Sequence, residues 1–410
     1  MSDRTNEPEE TQEHAPQQAP PGNVFEPPRD LRRIRRRAGW AFVAGAILCF
    51  IGAILDPSQF LRSHLLALVF WLSIALGCLA VLQVQHVSPG GWSAMIRRPL
   101  EAAARTVWVL GLLFLPILVG LPRLYAWARP EVVQADEILR HKAPYLNVPF
   151  FVVRTALYFA VWIGFAYMLS RMSLAQDRAY DPERARRMRT LSAVGLLAYG
   201  LTMTFASFDW LMSLEPHWYS TIFGVYVIGG QAVSAMCFVI LVALYLARRP
   251  PMAGALRPRH FHDFGKMLMA FVMLWAYFGF SQFLIIWSGN LPEEVPWFKD
   301  RMTGGWRWVS LSLILLHFVL PFLLLLSRDL KRSSRRLAAV AGFILLMRWV
   351  DLYWLIMPAF HHESLKVHWI DIAVTVAVGG LWTWAFVREL GSRPLLPIHE
   401  PLLREALADE

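Results

Sequence analysis

Cysteine is rare in this chain, and none of the three present belongs to a ligand motif. Cys49, Cys78 and Cys237 lie far apart in sequence, so they form no CxxC, CxxCH or four-cysteine cluster. Structural zinc, covalently attached haem and iron–sulfur clusters need several ligands at short spacing. The sequence therefore predicts no metal centre and no covalently bound cofactor, and it predicts that the cysteines are buried apolar side chains.

Charged residues are also scarce, at 17% of the 410 residues, whereas 56% are hydrophobic. A soluble domain carries about a quarter charged residues. Ten mostly apolar runs are long enough to cross about 30 Å of hydrocarbon as helices. The sequence therefore predicts an all-α integral membrane protein with ten transmembrane helices. The ten spans are Trp40–Leu55, Leu65–Val84, Val107–Leu121, Val148–Leu169, Leu191–Ser207, Thr221–Leu246, Met267–Ser288, Trp306–Ser327, Leu337–Met357 and Val367–Val387.

Basic residues give the chain a formal net charge of +10, which in a soluble protein would suggest a nucleic-acid partner. Their distribution indicates a different cause. Ten spans place both termini on one side of a membrane, and most of the 40 Lys and Arg residues fall on that side, in the tails and in alternate loops. The positive-inside rule then predicts that both termini are cytoplasmic. The expected surroundings are membrane lipid, with no nucleic acid.

Three regions follow from this pattern. Residues 1–37 are expected to form a cytoplasmic tail, disordered over the Pro-, Gln- and Glu-rich residues 1–30 and basic next to the membrane. Residues 38–390 form the membrane domain, and residues 391–410 form a second cytoplasmic tail.

The fifth and ninth spans share a pattern that indicates an internal repeat. Each follows a basic loop, and their first four residues read LSAV and LAAV. Four spans separate equivalent positions, which predicts two four-helix bundles, spans 2–5 and 6–9, flanked by spans 1 and 10. In each repeat an Asp precedes a Pro near the outer end, opposite the termini, and a His follows: Asp209, Pro216 and His217, then Asp351, Pro358 and His361.

Titratable side chains cluster where the fifth span ends. Asp209, Glu215 and His217 lie within nine residues of one another. Ionised groups facing lipid are costly, so such groups line a polar cavity or meet water. We expect these three to form the outer exit of a proton path in the first bundle, with Asp209 close to water.

Two arginines lie inside spans. Arg348 and Asp351 are three residues apart on one face of the ninth span, and a buried pair costs more than apolar packing. Two interpretations stay open: a proton or quinone site, and an ion pair that fixes helix register. For Arg154, a few residues into the fourth span, the alternatives are pairing with an outer-leaflet acid and snorkelling to the interface.

Further polar candidates lie in the seventh and eighth spans. His317 precedes Pro321, whose missing N–H frees the carbonyl of residue 317. This predicts a kink with a polar pocket, and a satisfied core histidine is the alternative. Tyr277, Ser281 and Gln282 suggest a hydroxyl and amide stripe for a water file, although bonding within the helix also explains the serine. Together with Arg348 and Asp351, these groups would form one polar path in the second bundle.

Histidines at membrane depth are too few for an integral haem. A b-type haem with two histidine ligands needs them on facing spans, yet only His317 lies deep in a span. We therefore expect the electron carriers on partner subunits.

Four stretches resemble the NrfD-like, polysulfide-reductase-type membrane subunits, and more closely the smaller such subunit of bacterial alternative complex III, a quinol:cytochrome c oxidoreductase. They are YLNVPFFVVR at 145–154, FDWLMSLEPHWYSTIFG at 208–224, MLWAYFGFSQFLIIWSGNLPEE at 273–294 and MRWVDLYW at 347–354.

This resemblance implies a respiratory function in quinol oxidation, with quinone interaction, proton conduction or both in a subunit that is not catalytic alone. It also implies partners: a larger NrfD-like paralogue, a multihaem cytochrome c carrying haem c, and a subunit carrying iron–sulfur clusters. A secondary solute transporter with an intramembrane ion pair and a purely structural anchor remain alternatives.

Overall fold

Helices are the regular secondary structure of the residues that the computed structural model describes, which are 25–362, 364–397, 399 and 403, and no strand occurs among them. Ten of the helices in these residues are long and apolar enough to cross a membrane, which confirms the predicted all-α multi-pass class. The disorder predicted for residues 1–30 falls mostly outside the described part. The ten are α1 Leu31–Leu55, α2 Pro57–Val87, α3 Trp92–Val119, α4 Val148–Gln176, α5 Pro182–Leu214, α6 Phe223–Ala247, α7 Pro258–Gly289, α8 Trp306–Leu326, α9 Ser334–Ala359 and α10 Trp369–Leu390.

The helices pack as the two predicted bundles. Helices α2 to α5 each contact the next, and α5 returns to α2; α6 to α9 form a second ring in the same way. Helix α1 pairs with α10, and α10 packs on α2. The bundles meet where α6 contacts both α2 and α5.

Glycines allow the closest of these helix contacts. A Cβ at Gly77 would lie 2.1 Å from the carbonyl oxygen of Gln231, so α2 and α6 approach backbone to backbone. A Cβ at Gly380 would lie 2.5 Å from the backbone nitrogen of Phe42, where α1 crosses α10. Small residues at helix crossings are typical of membrane bundles, in which association depends on close packing.

Several helices begin earlier than their apolar runs. Helix α1 starts at Leu31 and not Trp40, and α3 starts at Trp92 and not Val107. The first turns of α3 contain Arg98 and Glu101, which are both fully buried and bonded to each other at 2.6 Å. Because hydropathy counts charged residues against a span, it misses a helix whose charges are paired inside the protein.

The inner end of the bundle is defined here as the end where α1 begins and α10 ends, and the outer end as the opposite one. The backbone N–H of Leu395 donates to the carbonyl of Phe25 at 2.9 Å, so the chain before α1 and the chain after α10 meet. At the outer end, Asp56 alone separates α1 from α2. Its carboxylate accepts hydrogen bonds from the N–H groups of Ser58 and Gln59 and caps α2.

Cysteine labelling in intact cells tests the orientation that the basic residues predict. Val295→Cys, at the outer end, should react with a membrane-impermeant maleimide added outside, and Ser333→Cys, at the inner end, should react only after the membrane is opened. The parent carrying only Cys49, Cys78 and Cys237 is the control. The reverse labelling pattern would invert the topology.

Candidate functional site

The first buried charge cluster joins α4 and α5 at the outer end. Arg154 holds both carboxylate oxygens of Asp209, with Nε–Oδ2 and Nη2–Oδ1 distances of 2.8 Å. Tyr158, one turn further along α4, donates to Oδ2 at 2.8 Å. Asp209 has no exposed surface and Arg154 is 7% exposed. The expectation that Asp209 lies close to water is therefore wrong, because α4 supplies it with a bidentate cation and a hydroxyl in place of solvent.

Arg154 is fixed on its other side by aromatic rings and backbone. Its guanidinium lies 3.9 Å from the ring centre of Tyr145 and 4.2 Å from that of Phe150, and Nη1 donates to the carbonyl of Tyr145 at 3.0 Å. Both the ionic bonds and the cation–π contacts hold the head group inside the protein. Of the two interpretations of Arg154, the structure therefore shows pairing with an outer acid.

A cavity of about 430 Å³ opens beside this cluster. Its walls are mostly apolar or aromatic, and they include the ring of Tyr145, which stacks on Arg154. Lys142, whose Nζ donates to the carbonyl of Pro216 at 2.6 Å, lies at its edge. Burial lowers the pKa of Lys142. The lining residues are His141, Lys142, Pro144, Tyr145, Leu146, Phe208, Met212, Ser213, Pro216, Trp218 and Tyr219.

The second cluster is built around α9 and α6. Arg348 donates to Oδ2 of Asp351, as the spacing on one helix face predicts, and Tyr226 donates to Oδ1 at 2.6 Å. Both charged residues are almost fully buried. Arg348 fits because a Cβ at Gly230 would lie 2.2 Å from its Nη2, and its Nε lies 3.4 Å from the hydroxyl of Ser234.

His317 lies in the same bundle with neither ring nitrogen bonded to any described residue, although the side chain has no exposed surface. The ring meets Trp275 edge-on, with centroids 4.2 Å apart. Residues Leu313–Val319 form a π-helix just before Pro321. The wider π-helical turn accommodates the hydrogen bond that the proline cannot donate. A core histidine with satisfied hydrogen bonds, the alternative reading of the sequence, is not what the structure contains.

The seventh helix does not present the expected stripe to this cluster. Tyr277 is 63% exposed and points away from the bundle, whereas Gln282 is buried with its Oε1 unpaired among the described residues. Ser281 is half-buried between them. The three side chains therefore face different directions, and only Gln282 points inward. Tyr277 is excluded from an internal path by the rotation of α7.

Glu215 and His217 do not join Asp209 in one exit. Glu215 accepts hydrogen bonds from Arg301 at 3.3 Å, and His217 lies 2.7 Å from Asp136 at the surface. Burial raises the pKa of Glu215 even though the Arg301 guanidinium acts against this, and burial lowers the pKa of Arg301. Each of the three groups therefore has its own partner.

The Glu215–Arg301 pair connects the two bundles. Arg301 belongs to the helix Val295–Met302 after α7, stacks 3.7 Å from the ring centre of Trp297, and donates to the carbonyl of Leu355 in α9 at 3.1 Å. Trp297 in turn stacks on Trp218 from the connector after α5, with centroids 4.4 Å apart. A buried cation, a carboxylate and two indoles thus fasten the bundles at their outer ends.

Sequence reasoning missed an ion network at the inner end of the first bundle. Arg98 bonds Glu101 and Asp177, and Arg393 after α10 lies 3.6 Å from Glu101 and 2.9 Å from Glu389. The spacing of Arg98 and Glu101 was the available signal, but both residues lie outside the predicted spans, the third of which begins at Val107. This network attaches the segment after α10 to α3.

Comparison with known proteins does not assign this chain to a family. No protein-family model matches the chain, and no curated protein matches it at a significant level.

Arg301→Met should show how much the burial of an unpaired Glu215 lowers the free energy of unfolding. Because the folded-state pKa of Glu215 is raised, its stabilising effect is present below the ordinary value of about 4.5 and is lost as the pH rises through the raised pKa. Without Arg301 that pKa should rise further. The loss of unfolding free energy in detergent should therefore grow from pH 5 to pH 8, reaching about 3–5 kcal/mol.

The double variant Glu215→Gln with Arg301→Met is the control, since it removes both charges. It should recover part of the stability and lose the pH dependence. Equal destabilisation by Arg301→Met at both pH values would show that Glu215 does not depend on this cation.

Proposed function

We propose that this chain is the membrane subunit of a respiratory quinol:cytochrome c oxidoreductase of the alternative complex III type, similar to the smaller NrfD-like subunit. It holds no redox centre of its own, interacts with quinone and conducts protons. The observation that carries this proposal is the pair of buried Arg–Asp–Tyr sites, one in each bundle and both toward the outer end.

Quinol oxidation supports this role because it releases protons together with electrons. A buried carboxylate that is bonded to a tyrosine hydroxyl and an arginine is a group able to take up and pass on a proton. Asp351 has Tyr226 on one side and Arg348 on the other, and His317, whose ring nitrogens bond no described residue, lies in the same bundle. These groups are the proposed proton site of the second bundle.

The cavity beside Asp209 is the proposed quinone site. An aromatic and apolar wall with a few polar groups suits a planar ring that carries oxygen atoms at its edge. The ring of Tyr145 forms part of this wall, and the Arg154–Asp209 cluster lies behind it. A photoreactive quinone analogue should therefore label residues such as Tyr145 or Met212, and excess quinol should prevent the labelling.

Electron transfer then belongs to partner subunits in the bacterial cytoplasmic membrane: a multihaem cytochrome c, an iron–sulfur protein and a larger NrfD-like paralogue. The sequence supports this division because it lacks cysteine motifs and paired deep histidines. The basic residues of the tails and alternate loops support cytoplasmic termini.

Purification in mild detergent tests this class. The tagged chain should bring down proteins containing haem c and iron–sulfur clusters, and the preparation should reduce cytochrome c with quinol. Absorbance of haem c and electron paramagnetic resonance of the clusters check the partners. A monodisperse chain that lacks these proteins and binds a solute would instead identify a transporter.

Removing both charges of the second cluster tests the proton role. Arg348→Gln combined with Asp351→Asn keeps the shapes, leaves no lone buried charge, and retains an acceptor for Tyr226. We expect normal assembly and a fall in quinol:cytochrome c activity of about 100-fold, the usual scale for losing a positioned proton-transfer group.

The matched control is Lys266→Gln with Asp263→Asn, which removes an exposed ion pair of the same bundle with a 3.0 Å separation. It should keep full activity. If the Arg348/Asp351 double variant assembles with full activity and unaltered proton release, the pair serves only to fix helix register. If it fails to assemble, the register interpretation also gains support.

A further inference from the structure

Buried amides and an imidazole line the contact between α2 and α5 in the inner half of the first bundle. Gln83 has no exposed surface, and both its amide nitrogen and its amide oxygen lack partners among the described residues. His86, one turn further toward the inner end, bonds Ser192 of α5 at 2.9 Å through Nδ1, and its Nε2 is unpaired in the described chain. Buried polar groups of this kind are normally satisfied by protein or by ordered water.

These groups follow one face of α5. Ser192, Gly195 and Tyr199 are three and four residues apart, which places them one above another. A Cβ at Gly195 would lie 2.3 Å from Nε2 of Gln83, so the amide packs directly on the glycine. From Ser192 to Tyr199 the face rises about 10 Å at the usual rise per residue. A polar surface therefore extends from the inner end toward mid-membrane.

Beyond Tyr199 the series of polar groups continues on α6. The Tyr199 hydroxyl donates to Oε1 of Gln231, and Gln231 lies three residues before Ser234 on the same helix. The Ser234 hydroxyl is 3.4 Å from Nε of Arg348, which belongs to the Asp351 cluster. Gly230, the neighbour of Gln231, is the residue on which Arg348 packs. Helix α6 thus carries the polar surface from the first bundle into the second.

The alternative course, straight up α5 to Asp209, carries fewer polar groups. Over the interval of about 15 Å between Tyr199 and Asp209, the buried residues of α5 are Met203, Ala206 and Ser207, and the Ser207 hydroxyl donates to the carbonyl of Thr204 in its own helix. The distal acid that the inner-end groups reach is therefore Asp351, in the opposite bundle.

We infer that a hydrated route through the α2–α5–α6 contact, formed by His86, Gln83, Tyr199 and Gln231, delivers protons from the inner end to the Arg348–Asp351 cluster. Its mouth lies beside the exposed turn at Val87 and Ser88. The inference depends on the proposed function in one respect, because quinol oxidation supplies the free energy that drives the protons through the route. Oxidation of one quinol gives two electrons to two ferricytochromes c and releases two protons. The protons that enter through the route are additional to those two.

Water in the route is measured first, on the unaltered chain. Hydroxyl radicals generated by X-ray pulses oxidise side chains next to bound water. Met203 is 2% exposed and its sulfur accepts a bond from Gln231, whereas Met95 is 1% exposed within the apolar core. Met203 should form the sulfoxide severalfold faster than Met95. Equal, slow oxidation of both would overturn the hydrated route.

Proton delivery is measured with the whole complex in vesicles. Gln83→Leu and Tyr199→Phe remove polar groups while nearly keeping volume, and each should abolish proton uptake from the inner-end compartment while electron transfer with a protonophore continues. Ser73→Ala is the control, because among the described residues that buried hydroxyl of α2 bonds only the carbonyl of Val69 in its own helix, at 2.7 Å. It should leave uptake unchanged.

The outcomes separate this inference from the proposed function. Normal quinol oxidation with unchanged uptake in both variants, or with no inner-end uptake in the unaltered complex, would overturn the route and leave the proposed function standing. Absence of quinol oxidation would overturn the proposed function. The rate of Met203 oxidation relative to that of Met95 would then be the measurement that decides whether the route is hydrated. The same two rates decide this question if a variant fails to assemble.

Discussion

The cost of placing ionised groups away from water governs the arrangement of this bundle. An unpaired charge in a low-dielectric interior is expensive, and a pair is tolerated only when its remaining bonding positions are filled. Arg154 with Asp209, Arg348 with Asp351, Glu215 with Arg301 and Arg98 with Glu101 all follow this rule. Each pair also joins separate elements or gains a tyrosine, a carbonyl or an indole, so the charged clusters connect neighbouring parts of the bundle.

The two outer sites have the same composition and different connections. In the first, arginine and tyrosine come from α4 and the aspartate from α5; in the second, arginine and aspartate share α9 and tyrosine comes from α6. The first site therefore depends on contact between two helices of its own bundle. The second site belongs mainly to α9, and its remaining member, Tyr226, comes from α6, the helix that contacts the first bundle. This difference agrees with the proposal of a quinone site in the first bundle and a proton site in the second.

Much of the fold was predictable because it depends on local pattern. Apolar runs gave the ten helices, the Asp and Pro positions indicated the bundle pairing, and the spacing of Arg348 and Asp351 placed them on one face. The rest depends on how each helix is rotated and which helix lies beside it. The prediction that Asp209 lies near water was wrong because its partner Arg154 comes from another helix. The prediction that Tyr277 lines an internal path was wrong because α7 turns that face outward. Tyr158 and Tyr226 carried no signal until their neighbours were known.

The fastening at the outer end limits how the molecule can move. A carrier with two halves works by rocking them around a central substrate, which requires each end to separate in turn. Here, separation at the outer end would pull Glu215 from Arg301 and Trp218 from Trp297, and would leave a buried guanidinium without its counter-charge. Breaking such a pair costs about 3–5 kcal/mol. Any motion that separates the two bundles at the outer end would therefore have to offset this cost together with the loss of the indole stacking.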